Sequence, residues 1–333
     1  MEAKLIFIIG SPRSGSTLMQ RMLGSHSEIF SCPEPHIITP LAHLGYFHTV
    51  EKAPYDHLRG VDAIRNFVAH LPSGETDYIA ACRAYSDLLY SKRLQPSGKT
   101  YFLDKTPAYA LVLDFLTRLY PRAKYIVLTR HPLAVFCSFA NSFFDGDFHA
   151  ANSYNPILNR YVPAIAGFIR ESPAPFVHVR YESLVQHPQE EVRKICAFLK
   201  IAYEDTLVEY GKQQHDQSGL GDPVSVSRHS RPMTKSVHKW VGDVCSNPLR
   251  RDFAVGLIDS LDPRDLETWG YPYESIFDPV KSAAGDIHKS APPPFDRFQL
   301  QRKLLLRLRR NIHHNAFGRI VKKIRFACDV LLR

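Results

Sequence analysis

Residues 4–23 have the sequence KLIFIIGSPRSGSTLMQRML, and this stretch decides the fold. Residues 5–9 are an apolar run of strand length, Gly10 and Gly15 bracket a short loop, and residues 18–23 favour a helix. The glycines let backbone N–H groups turn toward one point, and a helix N-terminus adds partial positive charge there. The stretch therefore predicts a strand, an anion-binding loop and a helix start.

The loop has the spacing of the nucleoside triphosphatase motif G-x-x-x-x-G-K-[ST], except that Ser16 stands at the lysine position. That lysine contacts the β- and γ-phosphates, so its absence argues against ATP or GTP. Arg13 offers an oxyanion a fixed fork of N–H donors instead. The loop residues expected to hold the anion are Arg13, Ser14, Gly15, Ser16 and Thr17.

Short apolar runs alternate with helical periodicity along the chain, which is typical of an α/β domain with a parallel sheet. The predicted strands are residues 5–9, 101–103, 125–128 and 176–179. The predicted helices are residues 61–71, 77–92, 109–120, 155–170 and 188–199. We predict a single P-loop-like α/β domain over residues 1–278, with a central parallel β-sheet flanked by helices.

Three later segments differ in composition from this domain. Residues 213–231 are polar and predict a long loop, a feature that is often functional. Residues 279–295 are rich in proline and predict a linker. Residues 296–333 predict a basic, helical C-terminal tail, with amphipathic helices over 298–308 and 320–332.

Positive charge is concentrated in the tail. Residues 297–333 hold 11 of the 42 Lys and Arg but one of the 33 Asp and Glu, which accounts for the formal net charge of +9. The near-neutral remainder argues against a nucleic-acid partner. The tail could contact an anionic membrane surface, a carrier protein or a second subunit as a homodimer, and a solvated helix packed on the domain fits equally well.

The six cysteines are widely spaced, so they form neither metal-ligand pairs nor a compact disulfide framework, and we expect no metal. The apolar run at residues 5–9 is too short for a signal peptide or a membrane span. We therefore expect a cytoplasmic protein, with membrane association possible only through the tail.

Two further cationic positions follow predicted strands. Arg130 comes after residues 125–128, and Ser138 lies on the helix that Pro132 begins. Because ligands bind at the carboxyl ends of parallel strands, this pair predicts a phosphate site separate from the loop. Lys105 follows the strand at 101–103 and could neutralise a leaving phosphate. A salt-bridged strand-end arginine or a solvated lysine is the alternative for each position.

These residues resemble the sulfotransferase family that uses 3'-phosphoadenosine 5'-phosphosulfate (PAPS). The loop at residues 10–17 is similar to its 5'-phosphosulfate loop, and Arg130 with Ser138 is similar to its 3'-phosphate site. The resemblance extends over residues 4–273 and is strongest to the protein-tyrosine sulfotransferases and their bacterial relatives. It implies that Tyr181 and Lys239, in the segments VRYESL and KWVG, contact the nucleotide.

The resemblance also implies two catalytic residues. Glu34 is the expected general base for the acceptor hydroxyl, and His36 is its rival because cytosolic relatives use histidine. Ser225 is the expected serine beside the leaving phosphate, with Ser227 as the alternative register. Residues 224–232 depart from the tyrosine-enzyme pattern, so the acceptor is left open.

The sequence thus predicts transfer of a sulfuryl group from PAPS to a hydroxyl of a small-molecule, carrier-bound or peptide acceptor. Charge neutralisation by Arg13 and Lys105 is argued by analogy with phosphoryl transfer. The alternatives are a P-loop phosphotransferase (kinase), and a membrane- or carrier-docking protein with a vestigial nucleotide site. The missing lysine at Ser16 argues against the first alternative, and intact Arg13, Lys105 and Glu34 argue against the second.

Overall fold

The computed structural model of the chain describes residues 1–32, 34–48, 57–172, 174–212 and 230–282, together with 320, 323 and 324. Its strands are β1 (Leu5–Gly10), β2 (Ile29–Ser31), β3 (Tyr101–Asp104), β4 (Lys124–Thr129) and β5 (Phe176–Arg180). Over the described residues they form one sheet of order β2-β3-β1-β4-β5, and every neighbouring pair is parallel. The predicted α/β class with a central parallel sheet is confirmed.

Helices cover both faces of the sheet. In the first half of the chain they are α1 (Ser16–Gly24), α2 (Ile38–Ala42), α3 (His57–Ala69), α4 (Glu75–Leu94), α5 (Leu113–Leu119), α6 (Pro132–Phe144) and α7 (Phe148–Tyr154). They continue with α8 (Ile157–Glu171), α9 (Tyr181–Gln186), α10 (Pro188–Leu199), α11 (Lys239–Cys245), α12 (Pro248–Asp259), α13 (Pro263–Trp269) and α14 (Asp278–Ser282). Among the described residues, no helix is both long enough and apolar enough to cross a bilayer.

Strand β1 is buried along its whole length and separates two hydrophobic cores. Successive side chains of a strand point to opposite faces of the sheet. Leu5, Phe7 and Ile9 accordingly pack into one core, which includes residues of α4, α5, α6 and α8. Ile6 and Ile8 pack into the other core with residues of α1, α9 and α10. The two-faced burial explains why this strand has a continuous apolar sequence.

Phe7 lies at the centre of an aromatic cluster in the first core. Its ring centroid is 5.5 Å from that of Tyr125, 5.8 Å from Tyr120, 6.3 Å from Tyr109 and 6.5 Å from Tyr90. Aromatic pairs at such separations stabilise beyond the area they bury. The cluster therefore joins β1 and β4 to α4 and to the turn after β3.

Among the differences from the sequence-based prediction, two concern the segments on either side of β3. Strand β2 was missed, because its three residues are too few to show a period. The helix predicted over 109–120 is a 3₁₀ helix, Pro107–Leu111, followed by α5. Val112 separates the two with a non-helical backbone.

Several predicted segments fall mainly outside the described residues. The long loop at 213–231 is described only at 230 and 231. Helix α14 includes the first residues of the predicted linker, 279–282, and the rest of 279–295 is not described. The tail at 296–333 is described only at 320, 323 and 324, so its role stays a prediction.

Replacing Phe7 with alanine should lower the free energy of unfolding by about 3–5 kcal/mol, because a fully buried aromatic ring is removed from a packed cluster. Chemical denaturation measures the change. Phe67→Ala is the control, since that side chain is 70% exposed and its loss should cost within about 0.5 kcal/mol. Equal losses in the two variants would contradict the central role of the Phe7 cluster.

Candidate functional site

The glycine loop between β1 and α1 adopts an unusual backbone conformation. Arg13 has φ 69° and Gly15 has φ 95°, both in the left-handed region. A Cβ atom on Gly15 would lie 2.3 Å from Cδ2 of Tyr181, which no side chain tolerates. Glycine is therefore required at this position for both backbone and space. The first turn of α1 follows at once, so its unpaired N–H groups point toward the loop, where they can bind an anion.

Tyr181, the residue after β5, contacts both the glycine loop and Arg130, which follows β4. Its ring packs against Gly15, and the guanidinium carbon of Arg130 lies 4.4 Å from the ring centroid. Its hydroxyl is 2.6 Å from the hydroxyl of Ser236. A cation over a tyrosine ring is attracted by the ring's negative face. The ring thus fixes the distance between the loop and Arg130.

Arg130 follows β4 and is 8% exposed. Its Nη1 donates to the carbonyl of Arg13 at 3.1 Å, and its Nη2 donates to the carbonyl of Ser236 at 2.8 Å. Trp269 donates from Nε1 to the Arg130 carbonyl at 2.8 Å. Burial lowers the pKa of Arg130, but a guanidinium stays protonated in proteins. A buried fixed cation at this sheet edge requires an anionic ligand or strong carbonyl contacts.

Ser138 and Arg13 are in direct contact, because Arg13 Nε donates to Ser138 Oγ at 3.1 Å. The sequence predicted one phosphate site at the loop and a separate one at Arg130 and Ser138. The structure places both groups of residues around one cavity of about 360 Å³. The expected site residues that line it are Arg13, Gly15, Ser16, Thr17, Arg130, Ser138, Tyr181 and Lys239.

This cavity suits a ligand with more than one anionic group. Its volume lies in the range of ligand pockets. Arg130 Nε, on a residue that lines the cavity, is buried and has no hydrogen-bond partner among the described residues. Ser14, also expected in the site, does not line the cavity. Buried polar atoms without partners are costly, so such atoms indicate a missing ligand. The residues present therefore fit a nucleotide with two phosphate positions.

Lys105 and Glu34 form an ion pair beside the loop. Lys105 Nζ donates to Glu34 Oε1 at 2.5 Å and to Thr17 Oγ1 at 3.4 Å. The Lys105 side chain is 1% exposed and that of Glu34 is 16% exposed. His36 Nε2 is 3.3 Å from the other carboxylate oxygen of Glu34. Both candidates for the base therefore lie together, with Glu34 between His36 and Lys105.

Asp104, at the end of β3, is fully buried. Burial raises the pKa of Asp104 to about 6, against the opposing effect of hydrogen bonds from the hydroxyls of Tyr90, Thr106 and Tyr109. The three donors lie 2.7, 3.0 and 3.1 Å from the carboxylate oxygens. This carboxylate was not singled out from the sequence, because it looked like an ordinary strand end.

Sequence reasoning also missed other residues that line the cavity. Among them are Asn141, Tyr210, Arg231, Lys235, Ser236, Trp240 and Asp243. Trp240 stacks on His131 with ring centroids 4.1 Å apart, and burial lowers the pKa of His131 to about 3. Asn141 donates to Asp243 at 2.8 Å. Ser225 and its alternative Ser227 lie outside the described residues.

A family profile matches more than half of the chain. The profile is described as "Sulfotransferase family", and it matches residues 6–205. The matched range contains Arg13, Glu34, Lys105, Arg130 and Ser138.

Two relatives extend the comparison. Nodulation protein NoeE of Sinorhizobium fredii (strain NBRC 101917 / NGR234) is 30% identical over 214 residues, which cover 59% of this chain and 49% of NoeE. Protein-tyrosine sulfotransferase 2 of Gallus gallus is 28% identical over 265 residues, which cover 75% of this chain and 66% of that protein. The chain spans about half the length of the first relative and about two thirds of the second.

Among solved structures, the sulfotransferase domain from the Synechococcus PCC 7002 olefin synthase has a similar fold. The TM-score is 0.51 at 24% sequence identity, over 80% of this chain and 93% of that chain. The likeness agrees with the parallel sheet and its helical layers.

Replacing Asp104 with asparagine should remove a pH dependence of stability. The folded-state pKa lies above the ordinary value, so the unfolded chain loses this proton first as pH rises. Relative to Asp104→Asn, the unaltered protein should lose about 2 kcal/mol of unfolding free energy between about pH 4.5 and about pH 7. Denaturation of both proteins across this range measures it. A difference that is constant with pH would contradict the raised pKa.

Proposed function

Because the chain belongs to the sulfotransferase family, we propose that it transfers the sulfuryl group of PAPS to a hydroxyl group of an acceptor. The observation that carries the proposal is the cavity in which the glycine loop, Arg130 and Ser138 converge. It holds one buried donor, Arg130 Nε, that has no partner among the described residues, and it adjoins the Lys105–Glu34 pair through Thr17. A phosphate cradle beside a carboxylate and a buried cation suits transfer of an anionic group.

Two sets of residues would hold the nucleotide. The loop N–H groups, Arg13 and Thr17 would bind the 5'-phosphosulfate, because the helix N-terminus and the guanidinium favour negative charge there. Arg130 and Ser138 would bind the 3'-phosphate. Tyr181 and Lys239 line the same cavity and would contact the rest of the nucleotide. The bound donor supplies the sulfuryl group and leaves as the 3',5'-bisphosphate.

Arg13 and Lys105 would neutralise the charge that develops on the leaving phosphate. Arg13 is a residue of the loop, and Lys105 donates to Thr17 at the end of the loop. Fixed cations in a site that excludes water stabilise such charge strongly. Ser225, or Ser227 in the alternative register, would assist the leaving oxygen.

Glu34 would take the proton of the acceptor hydroxyl. An alcohol or phenol is a weak nucleophile at neutral pH, so a carboxylate within hydrogen-bond reach accelerates its attack. Lys105 pairs directly with one oxygen of the Glu34 carboxylate and holds it beside the loop. His36 remains the rival, because it contacts the other oxygen of the same carboxylate.

The acceptor class stays open among small molecules, carrier-bound groups and peptides. One of the two relatives described above is named a nodulation protein and the other a protein-tyrosine sulfotransferase, so their names do not agree on an acceptor. Contact of the tail with a membrane, a carrier protein or a second subunit also stays a prediction from its charge.

Calorimetric titration with 3'-phosphoadenosine 5'-phosphate should show binding that Arg130→Ala weakens at least about tenfold, since a buried charged hydrogen-bond donor is lost. Arg118→Ala is the control, because Arg118 is exposed and pairs with Glu75 away from the cavity. ATP with magnesium should bind more weakly than the bisphosphate. A preference for ATP would favour the kinase alternative.

Glu34→Gln should lower the rate of sulfuryl transfer by about 10²–10⁴-fold, because the amide cannot accept the proton. The affinity for the bisphosphate should change less than about threefold, since Glu34 does not line the nucleotide cavity. Transfer is followed with donor labelled with radioactive sulfur and a panel of phenol, sugar and tyrosyl-peptide acceptors. A larger loss in His36→Gln than in Glu34→Gln would move the base role to His36.

A further inference from the structure

The Asp104 carboxylate lies at a junction of three chain segments. Its Oδ2 accepts from Tyr90 of α4 at 2.7 Å and from Tyr109 at 3.1 Å, and its Oδ1 accepts from Thr106 at 3.0 Å. Asp104, Thr106 and Tyr109 are fully buried, and Tyr90 is nearly so. Charged groups in such places need this many donors to remain ionised. Two residues of the junction, Asp104 and Thr106, are the neighbours of Lys105 in the chain.

Tyr109 extends the junction to the segment that carries Glu34. Its hydroxyl accepts the N–H of Ile38, the first residue of α2, at 3.3 Å. His36, between Glu34 and Ile38, has φ 54°, a conformation that costs energy for a residue other than glycine. A strained turn keeps its shape only if its ends are held. The Ile38 N–H contact holds one end.

The other end of this segment is held by the sheet and by α1. Ser31 of β2 lies opposite Leu103 of β3 in parallel register. Gln20 of α1 donates to the Cys32 carbonyl at 2.7 Å. Glu34 is therefore fixed between Cys32 and Ile38, while Lys105 is fixed between Asp104 and Thr106. The 2.5 Å contact of Glu34 with Lys105 depends on both segments.

Resting on the proposed function, we infer that Asp104 and Tyr109 are positioning residues that hold Glu34 and Lys105 at working distance from each other. The Tyr109 hydroxyl links the two segments. It donates to Asp104, which precedes Lys105, and it accepts the N–H of Ile38, in the segment that carries Glu34. Neither residue lines the nucleotide cavity, so the effect falls on transfer and not on donor binding.

Two single-hydroxyl deletions separate positioning from a purely structural role. Tyr109→Phe and Tyr90→Phe each remove one donor to the same Asp104 oxygen, and only Tyr109 also accepts from Ile38. Tyr109→Phe should lower kcat about tenfold at saturating PAPS, because a small misplacement of reacting groups is costly. Tyr90→Phe should lower kcat less than about threefold.

The kinetics are measured with any acceptor that the unaltered protein sulfates and with water. In the water reaction, the bond between sulfur and the 5'-phosphate oxygen breaks, its electron pair leaves with the 3',5'-bisphosphate, and sulfur forms a bond to the water oxygen. The products are the bisphosphate, sulfate and the two protons of the water molecule. The affinity for 3'-phosphoadenosine 5'-phosphate should stay within about threefold in both variants. Hydrogen exchange of the Ile38 amide should quicken in Tyr109→Phe alone.

Three results would count against these ideas in different ways. Equal losses of kcat in the two variants, at equal melting temperatures, would mean that the junction is only structural. A loss of bisphosphate affinity that matches the loss of kcat in Tyr109→Phe would also overturn the inference. Failure of the unaltered protein to transfer sulfuryl groups to any acceptor or to water would instead defeat the proposed function itself.

Discussion

Strand β1 has a parallel neighbour on each side, and this pairing decides where the charged residues of the site lie. Phe7 lies opposite Asp104 of β3, and Gly10 lies opposite Leu128 of β4. The chain leaves all three strands at the same edge, so the glycine loop, Lys105 and Arg130 meet there. Burial of β1 on both faces holds the register, because a slip of one residue would turn Phe7 out of its aromatic cluster.

A cation buried at that edge constrains the segments around it. The nearly inaccessible ammonium of Lys105 would be strongly unfavourable without an anion, and Glu34 supplies one. Glu34 lies in the segment after the edge strand β2 and Lys105 lies in the segment after β3, so the ion pair also joins these two segments. The Lys105–Glu34 ion pair therefore suits the proposed chemistry and also holds together the two segments that carry it.

The positions of site residues could be predicted from the sequence where they follow a strand that has a clear apolar pattern. The glycine loop, Lys105 and Arg130 each come directly after a strand with a clear apolar signal, so their meeting at one edge was predictable. Strand β2 has only three residues and gave no such signal, so Glu34 was found by resemblance alone.

Contacts between distant segments gave no signal at all. Gly15 meets Tyr181, and Arg130 meets Ser236, across more than a hundred residues. Asp104 was missed for the same reason, since its importance comes from hydroxyls on two other segments. Such pairings depend on the packed fold, which no local pattern of residues encodes.

The chain has two tryptophans, one in contact with Arg130 and the other with the adjacent His131. Trp269 is fully buried and donates to the Arg130 carbonyl, and Trp240 lines the cavity and stacks on His131. Indole emission depends on the polarity and charge around the ring, so the emission of both rings should respond to a change in charge near Arg130. The unlabelled chain therefore carries its own optical reporter, and its tryptophan fluorescence should change when an anionic ligand enters the cavity.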